Sequence, residues 1–414
     1  MTCSSPVAAP RAAPLLAGRL SPTAAFYLQA SITVSFLAGS AAPTPIYPIY
    51  QAEWGFSPIT VTIVFGIYAL AVLAALLVAG RLSDHVGRRP VLLIATAVQA
   101  AAMLIFAAAD GVPALLLARV IQGLSTGAAV AAVGAGLLDL DKARGTTANA
   151  IAPLLGTASG SIAAGLMVQF LPAPTHLVYL TLGAIFVLQT IGVAFMADSI
   201  KPGPGAWASL KPQFRLPANV RKPLLLAVPA LVATWSLAGF YGALSPMLVR
   251  SMVGHHAGVL GGVGLFVLAG SGAVSVMLLR RHAPATMMSF GTAALLAGVA
   301  VALAGLSYQS VVAFFFGTAF AGMGFGAGFQ GAVRSVLPLA APRERAGVLA
   351  VIFVVSYLAM GLPAVIAGYV LAHGGGMLST ARDFGAAVML LAALALLGTA
   401  IQHRSRATAR YSTS

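Results

Sequence analysis

Acidic side chains are nearly absent from this sequence: eight Asp and Glu in 414 residues, against 23 Lys and Arg. Charged residues of both signs make up 7% of the chain, where a soluble domain carries about a quarter. So sparse a supply cannot cover the surface of a water-soluble fold of this length, and a soluble enzyme is excluded. Cysteine is almost missing as well. The one copy, Cys3, sits in a polar N-terminal stretch, so a secreted disulfide scaffold is excluded. Residues 1–23 have no compact apolar core of the signal-peptide kind and read as a short cytoplasmic tail. No group of His, Cys, Asp or Glu has metal-ligand spacing, and no phosphate-cradling loop with a Lys occurs. Neither metal, cofactor nor ATP is therefore expected.

What the sequence has instead is oil. Apolar residues account for 59% of it and mean hydropathy is +0.96, which also excludes a disordered chain. A crossing takes about 20 residues. Apolar runs bounded by Pro, Gly and charge predict helices over 24–46, 58–79, 91–109, 112–137, 151–171, 176–196, 223–249, 257–279, 286–306, 310–333, 347–372 and 384–402. The net charge of +15 would suggest nucleic acid in a soluble protein. Here the cations are scattered singly between apolar runs and form no binding face, so nucleic acid is not an expected partner.

Those cations set an orientation instead. With the N-terminus in the cytoplasm, twenty of the 23 Lys and Arg fall on the cytoplasmic side; Arg250 and Arg382 fall outside, and Arg119 lies within a span. Both termini are thus expected in the cytoplasm. Residues 197–222 hold five cations and the prolines Pro202, Pro204, Pro212 and Pro217, and split the spans six and six. The expected organisation is a tail (1–23), a six-helix bundle (24–196), a cytoplasmic central loop (197–222), a second six-helix bundle (223–402) and a cytoplasmic tail (403–414). The fold class is an all-α membrane protein with a substrate path between two bundles.

Three stretches carry chemistry. After the second span the chain reads Gly80-Arg-Leu-Ser-Asp84-His-Val-Gly87-Arg88-Arg89. Gly80 and Gly87 allow a tight turn and close approach. Asp84 can accept from cations or helix N-termini, and Arg88 and Arg89 can pair with acids or lipid phosphates. The fourth span holds Arg119-Val-Ile-Gln122-Gly123. An Arg inside a span costs roughly 2.5–3.5 kcal/mol even on lenient insertion scales, so it is expected to face protein or water and to mark a functional position. The fifth span holds Gly156-Thr-Ala-Ser-Gly160-Ser161-Ile-Ala-Ala164-Gly165, small residues suited to close helix packing.

These stretches resemble signatures of the major facilitator superfamily. The first is similar to its loop between spans two and three, with His85 and Val86 in place of the usual cation and aromatic. The second is similar to its fourth-helix Arg followed by Gln-Gly. The third resembles its antiporter signature, but Ser161 replaces the proline and Ala164 a glycine. The resemblance implies a conformational gate of Gly80, Asp84, Gly87, Arg88 and Arg89. It also implies a coupling role for Arg119 and Gln122, a small-residue motif of Gly156, Gly160 and Gly165, and protons as the exchanged ion. Each of the eight acids falls at a span end or in a loop, so no midplane carboxylate is evident for that coupling.

Tyr27, Gln29, Tyr68, Trp235, Tyr241, Gln330 and Tyr357 interrupt otherwise apolar spans and are the expected substrate-cavity residues, beside Ser35, Gln99 and Phe240. Aromatics with few formal charges suit lipophilic or amphipathic compounds. Two chemical motifs are decoys. Gly123-Leu-Ser125-Thr-Gly127 mimics a hydrolase nucleophile elbow but lies mid-span with no histidine in the interior of any span. Gly326-Ala-Gly328-Phe-Gln-Gly331 mimics a dinucleotide fingerprint without its strand. The expectation is a multi-pass transporter of a bacterial cytoplasmic (inner) membrane, not an enzyme, exporting small molecules by alternating access. The alternatives are a facilitator or uptake carrier for a small metabolite and, in another class, a non-transporting sensor or scaffold.

Overall fold

The computed structural model describes residues 19–212, 214, 216–254 and 259–411, the last twelve by backbone alone. Cys3, Arg11, Arg215, His255, His256 and most of the expected N-terminal tail lie outside the described residues. Among the described residues the regular elements are all helical, and twelve helices are long and apolar enough to cross a membrane. They are α1 (Pro22–Ala41), α2 (Pro58–Ala79), α3 (Arg88–Ala107), α4 (Val112–Leu140), α5 (Lys142–Phe170), α6 (Pro174–Ala194), α7 (Ala218–Val253), α8 (Leu260–Leu279), α9 (Pro284–Ser307), α10 (Val311–Val336), α11 (Arg345–Ala372) and α12 (Met377–Tyr411).

Local chemistry sets many of the helix starts. Proline opens α1, α2, α6 and α9, where its missing N–H has no helical partner to lose. Ser21, Asp141 and Ser310 cap α1, α5 and α10 by accepting from the amides of Ala24, Arg144 and Ala313. Such signals also explain where the helices depart from expectation. Asp141 caps α5 at once, so α5 starts at Lys142 rather than 151 and the basic stretch after α4 is helix, not loop. The α1 span continues through a 3-10 turn (Thr44–Ile46) and a helix (Tyr47–Trp54) until Gly55, at φ +65°, ends it. α7 begins at Ala218, inside the expected central loop, and keeps Pro223, Pro229 and Pro246 within it. α12 begins at Met377, so Arg382 and Asp383 are helical, and it runs as helix to Tyr411 through residues expected to form a tail.

The helices form two bundles, α1–α6 and α7–α12, with matching internal contacts. α1 packs on α4, α5 and α6, and α7 packs on α10, α11 and α12. α2 packs on α4 as α8 does on α10, and α3 on α4 and α6 as α9 does on α10 and α12. The bundles meet along two seams, α2 with α11 and α5 with α8, which exchange under the same correspondence. By this pairing the second bundle repeats the packing of the first. Large apolar side chains remain exposed around the outside, among them Leu225, Leu188, Ile94, Leu390 and Ile366. A bilayer solvates such a belt; water does not.

Candidate functional site

The loop between α2 and α3 folds into one turn of helix (Ser83–Val86) that places Asp84 against Arg88. Arg88 is 5% exposed. Its guanidinium donates to Asp84 at 2.5 Å, to Ser83 Oγ at 2.7 Å and to Asp139 Oδ2 at 3.1 Å, the last from the end of α4. Ser199 also donates to Asp139, at 2.9 Å. Gly87 adopts φ +101°, a conformation L side chains rarely take, and the Asp198 carboxylate lies where its Cβ would be. Asp198 accepts from the amides of Arg88 (2.9 Å) and Arg89 (3.3 Å), so it caps α3. Arg89 donates through its side chain to the Ala194 carbonyl at 2.5 Å. Gly80 ends α2 where a Cβ would overlap the Leu76 carbonyl. Every partner here belongs to the first bundle or to the central loop that follows it. Asp84 therefore pairs within its own loop, not with a cation of the neighbouring bundle.

Arg119 is fully buried in α4. It donates to Gln122 Oε1 (2.7 Å), the Ser40 carbonyl (3.1 Å) and the Tyr47 hydroxyl (2.5 Å). Its guanidinium carbon lies 5.2 Å from the Tyr68 ring centre, 5.7 Å from Phe106 and 5.8 Å from Tyr47. Gln122 donates onward to the Gly39 carbonyl at 3.0 Å. No carboxylate forms an ion pair with Arg119 among the described residues. Oriented dipoles and aromatic faces hold the charge instead.

The α5 motif works through close approach. A Cβ on Gly156 or Gly160 would overlap the α1 backbone at Val34 or Ala38, whereas one on Gly165 would reach α8, 3.1 Å from the Val259 carbonyl. Ser161, standing where the family signature has proline, donates to the Gly262 carbonyl of the other bundle at 2.8 Å. A second bond between the bundles runs from the Thr44 hydroxyl to the Gly242 carbonyl at 2.9 Å. Both lie toward the end that carries Asp110, away from Arg88. Nearby, a Cβ on Gly261 would touch both Pro45 and Pro246, which flank the seam.

Between the bundles lies a cavity of about 180 Å³. Four expected residues line it: Tyr68, Trp235, Gln330 and Tyr357. Trp235 packs at 5.3 Å from Phe329 and 5.0 Å from Tyr357, ring centre to ring centre, making an aromatic wall. Tyr68 faces it from the first bundle and links the cavity to Arg119. Among the described residues the lining contains no Asp, Glu, His, Lys or Arg.

Six expected residues lie elsewhere. Ser35 donates to Gln189 Oε1 at 2.8 Å, Gln99 accepts from the Ser125 hydroxyl and Phe240 packs 4.6 Å from Phe384, ring centre to ring centre. Tyr27 is 57% exposed at the start of α1, where its hydroxyl accepts from Arg144 at 2.8 Å. Gln29 is buried and reaches only Met196 Sδ, at 3.5 Å. Tyr241 turns into the second bundle, 2.7 Å from Thr318 Oγ1. Helices apolar on every face do not announce their rotation, so an aromatic within one gives no sign of which neighbour it meets. Asn149, Ser40, Thr44 and Phe65 line the cavity unexpectedly. Asn149 fell outside the helix expected from 151; the Asp141 cap three residues before Arg144 was the signal that would have included it.

A sequence model described as the Major Facilitator Superfamily matches residues 30–362. The inner membrane transport protein YajR of Escherichia coli (strain K12) is 36% identical over 155 residues, which are 36% of this chain and 33% of that protein. The matched stretch thus spans a third of that relative's length. Among solved structures, the nucleoside transporter NupG is similar at a TM-score of 0.65 with 12% identity, covering 91% of this chain and 97% of that one. A point mutant of the same transporter gives 0.68 over 91% and 98%, also at 12% identity. At such identity the likeness shows the fold alone, and that fold is the paired six-helix arrangement with a central cavity described above. The family match across most of the spans, together with that architecture, establishes that this chain belongs to the major facilitator superfamily of membrane transporters.

Proposed function

We propose that the protein is a secondary transporter that exports neutral aromatic or amphipathic compounds by alternating access. The carrying observation is the cavity between the bundles: walled by Trp235, Phe329, Tyr357, Tyr68 and Phe65, with no formal charge in its lining. Burial in such a site favours apolar and planar molecules and penalises an ion, which would lose its hydration without gaining a counter-charge. A molecule apolar enough to bind there also leaks through lipid, so an exporter of it must run against its passive return.

In this reading the end carrying Arg88 faces the cytoplasm of a bacterial inner membrane, as the distribution of cations supports. The cavity is closed at the opposite end by the Thr44–Gly242 and Ser161–Gly262 contacts. Its 180 Å³ is below the roughly 300–1,000 Å³ of ligand pockets, so a drug-sized compound enters as the bundles part. The Asp84–Arg88–Asp139 cluster acts as the gate by holding the first bundle's loop rigid while the bundles rock. Proton exchange drives the cycle through a group outside the lining, since the cavity's own polar groups are hydroxyls and amides. Asp84, Asp139, Asp141, Asp198 and Glu344 fall toward one end of the bundles, and Glu53, Asp110 and Asp383 toward the other.

A second reading, uptake of a neutral polar solute, is favoured by the fold likeness to NupG, itself described as a nucleoside transporter, and by the amides Asn149 and Gln330 in the lining. Everted vesicles separate the two. Under an imposed pH gradient, a neutral aromatic fluorophore is expected to accumulate, and to stop when a protonophore is added or when Trp235 and Tyr357 are both replaced by Ala. Movement of preloaded uridine out of the everted vesicles, with no accumulation of the fluorophore, would replace export with uptake.

A further inference from the structure

We propose that Asn149 and Gln330 form a two-sided amide clamp that reads a hydrogen-bonding edge on the substrate. The preferred compound is then a planar ring bearing an amide- or lactam-type edge, not a bare hydrocarbon. This rests on the reading of the cavity as the transport site.

The two amides come from opposite bundles, Asn149 from α5 and Gln330 from α10, and both line the one cavity. The Trp235 indole N–H and the Tyr357 hydroxyl, set in the aromatic wall, also lack a partner among the described residues, whereas other polar lining groups are already committed. The Thr44 hydroxyl is spent on Gly242 and that of Thr157 on Pro153. Asn149 donates its Nδ2 to the Gly134 carbonyl at 2.8 Å. That bond fixes the amide and leaves Oδ1 as an oriented acceptor. Gln330 has no hydrogen bond to any described residue, so its donor and acceptor are both open to the cavity. A bare amide between apolar walls is satisfied only by water or by a ligand.

Taken together the cavity offers one fixed acceptor and one adaptable donor–acceptor pair. Beside them stands the aromatic wall, Phe329 being the immediate chain neighbour of Gln330. The complement is a ring that stacks on Trp235, Phe329 and Tyr357 while its edge supplies an N–H to Asn149 and an N–H/C=O pair to Gln330. Charge on that edge is disfavoured, because the lining has no ionised partner. Because the clamp spans the gap between bundles, one bound molecule ties the two together.

The test compares 2-naphthamide with 2-methylnaphthalene, the same ring with and without the edge. Binding to the purified protein is followed by Trp235 fluorescence after Trp54 and Trp207 are replaced by Phe. The unaltered cavity should bind the amide about tenfold more tightly, the worth of one or two net neutral hydrogen bonds. Gln330→Leu and Asn149→Leu should each bring that ratio toward one, with the hydrocarbon's affinity unchanged within about twofold. Because Asn149 also ties α5 to α4, Asn149→Leu risks misfolding; Gln330→Met, nearly isosteric, then carries the test. A tenfold preference that survives loss of the Gln330 amide, or no preference at the outset, overturns the clamp. If neither ligand binds, or Tyr357→Ala leaves both affinities intact, the reading of the cavity itself fails. Competition by uridine, sensitive to Gln330→Met, would assign the edge to a nucleobase; its absence beside tight naphthamide binding would assign it to a non-nucleoside amide.

Discussion

The carboxylate of Asp198 fills the space that a side chain on Gly87 would need. One turn of chain thus meets three demands: a φ of +101°, room for an acid from beyond α6, and a cap on the first amides of α3. Gly87→Ala is expected to be among the most damaging single-methyl additions in the protein. The strained backbone costs about 1–3 kcal/mol, and displacing the cap adds about 0.5–2 kcal/mol. Thermal unfolding in detergent, followed by circular dichroism, should show a clear fall in Tm. Gly203→Ala serves as control, because its site is open and its backbone unstrained; equal melting of the two variants would refute the argument.

Arg88 makes three directed bonds from one buried guanidinium, to Asp84, Ser83 and Asp139. A lysine ammonium cannot reproduce that fork. Arg88→Lys is therefore expected to lose most transport while remaining inserted and folded, nearly as Arg88→Ala does. Asp84 is half-exposed and Asp139 less so, so Asp139→Asn should impair turnover more than Asp84→Asn. Vesicle transport rates normalised to protein content provide the check, and full activity in Arg88→Lys would remove the gate.

Some of this was legible in the sequence for plain physical reasons. Twelve crossings follow from the lengths of apolar runs, because lipid tolerates little else. Arg119 announces itself as a charge in oil, and Asp84, Gly87 and Arg88 sit within one local turn. Other partners depend on distant chain. Asp198 reaches Arg88 across 110 residues, and no local pattern ties a carboxylate after one helix to the start of another. Tyr357 and Tyr241 look alike in sequence, yet one lines the cavity and the other is bonded to Thr318. The rotation of each helix decides between them, and packing sets that rotation.

Arg119 is held without an ion pair among the described residues, and the Tyr47 hydroxyl is one of its three acceptors. A hydrogen bond to a buried charge is worth about 1.5–3 kcal/mol. Tyr47→Phe should destabilise the protein by that amount, because a buried N–H is left unpartnered while ring packing is kept. In an Arg119→Met background the same change should cost close to nothing. A double-mutant cycle on unfolding measures the difference; additive effects would mean that the tyrosine acts through packing alone.

The bonds from Thr44 to Gly242 and from Ser161 to Gly262 join the bundles at the Asp110 end. They exist only while that end is closed, so removing them should shift the population toward the opposite state. Each replaced bond contributes about 0.5–1.5 kcal/mol net, and two together are expected to change the balance of states about tenfold. Thr44→Val with Ser161→Ala keeps the shapes and deletes the donors. Leu265 is buried in the cavity wall behind these contacts, so a cysteine there, with Cys3 replaced by Ser, reports opening. Labelling by a membrane-impermeant maleimide from the Asp110 side should speed up about tenfold in the double variant. Labelling from the other side should slow, because the two ends of an alternating-access carrier open at each other's expense. Faster labelling from both sides would instead mean that the two bonds hold the bundles together without biasing which end is open.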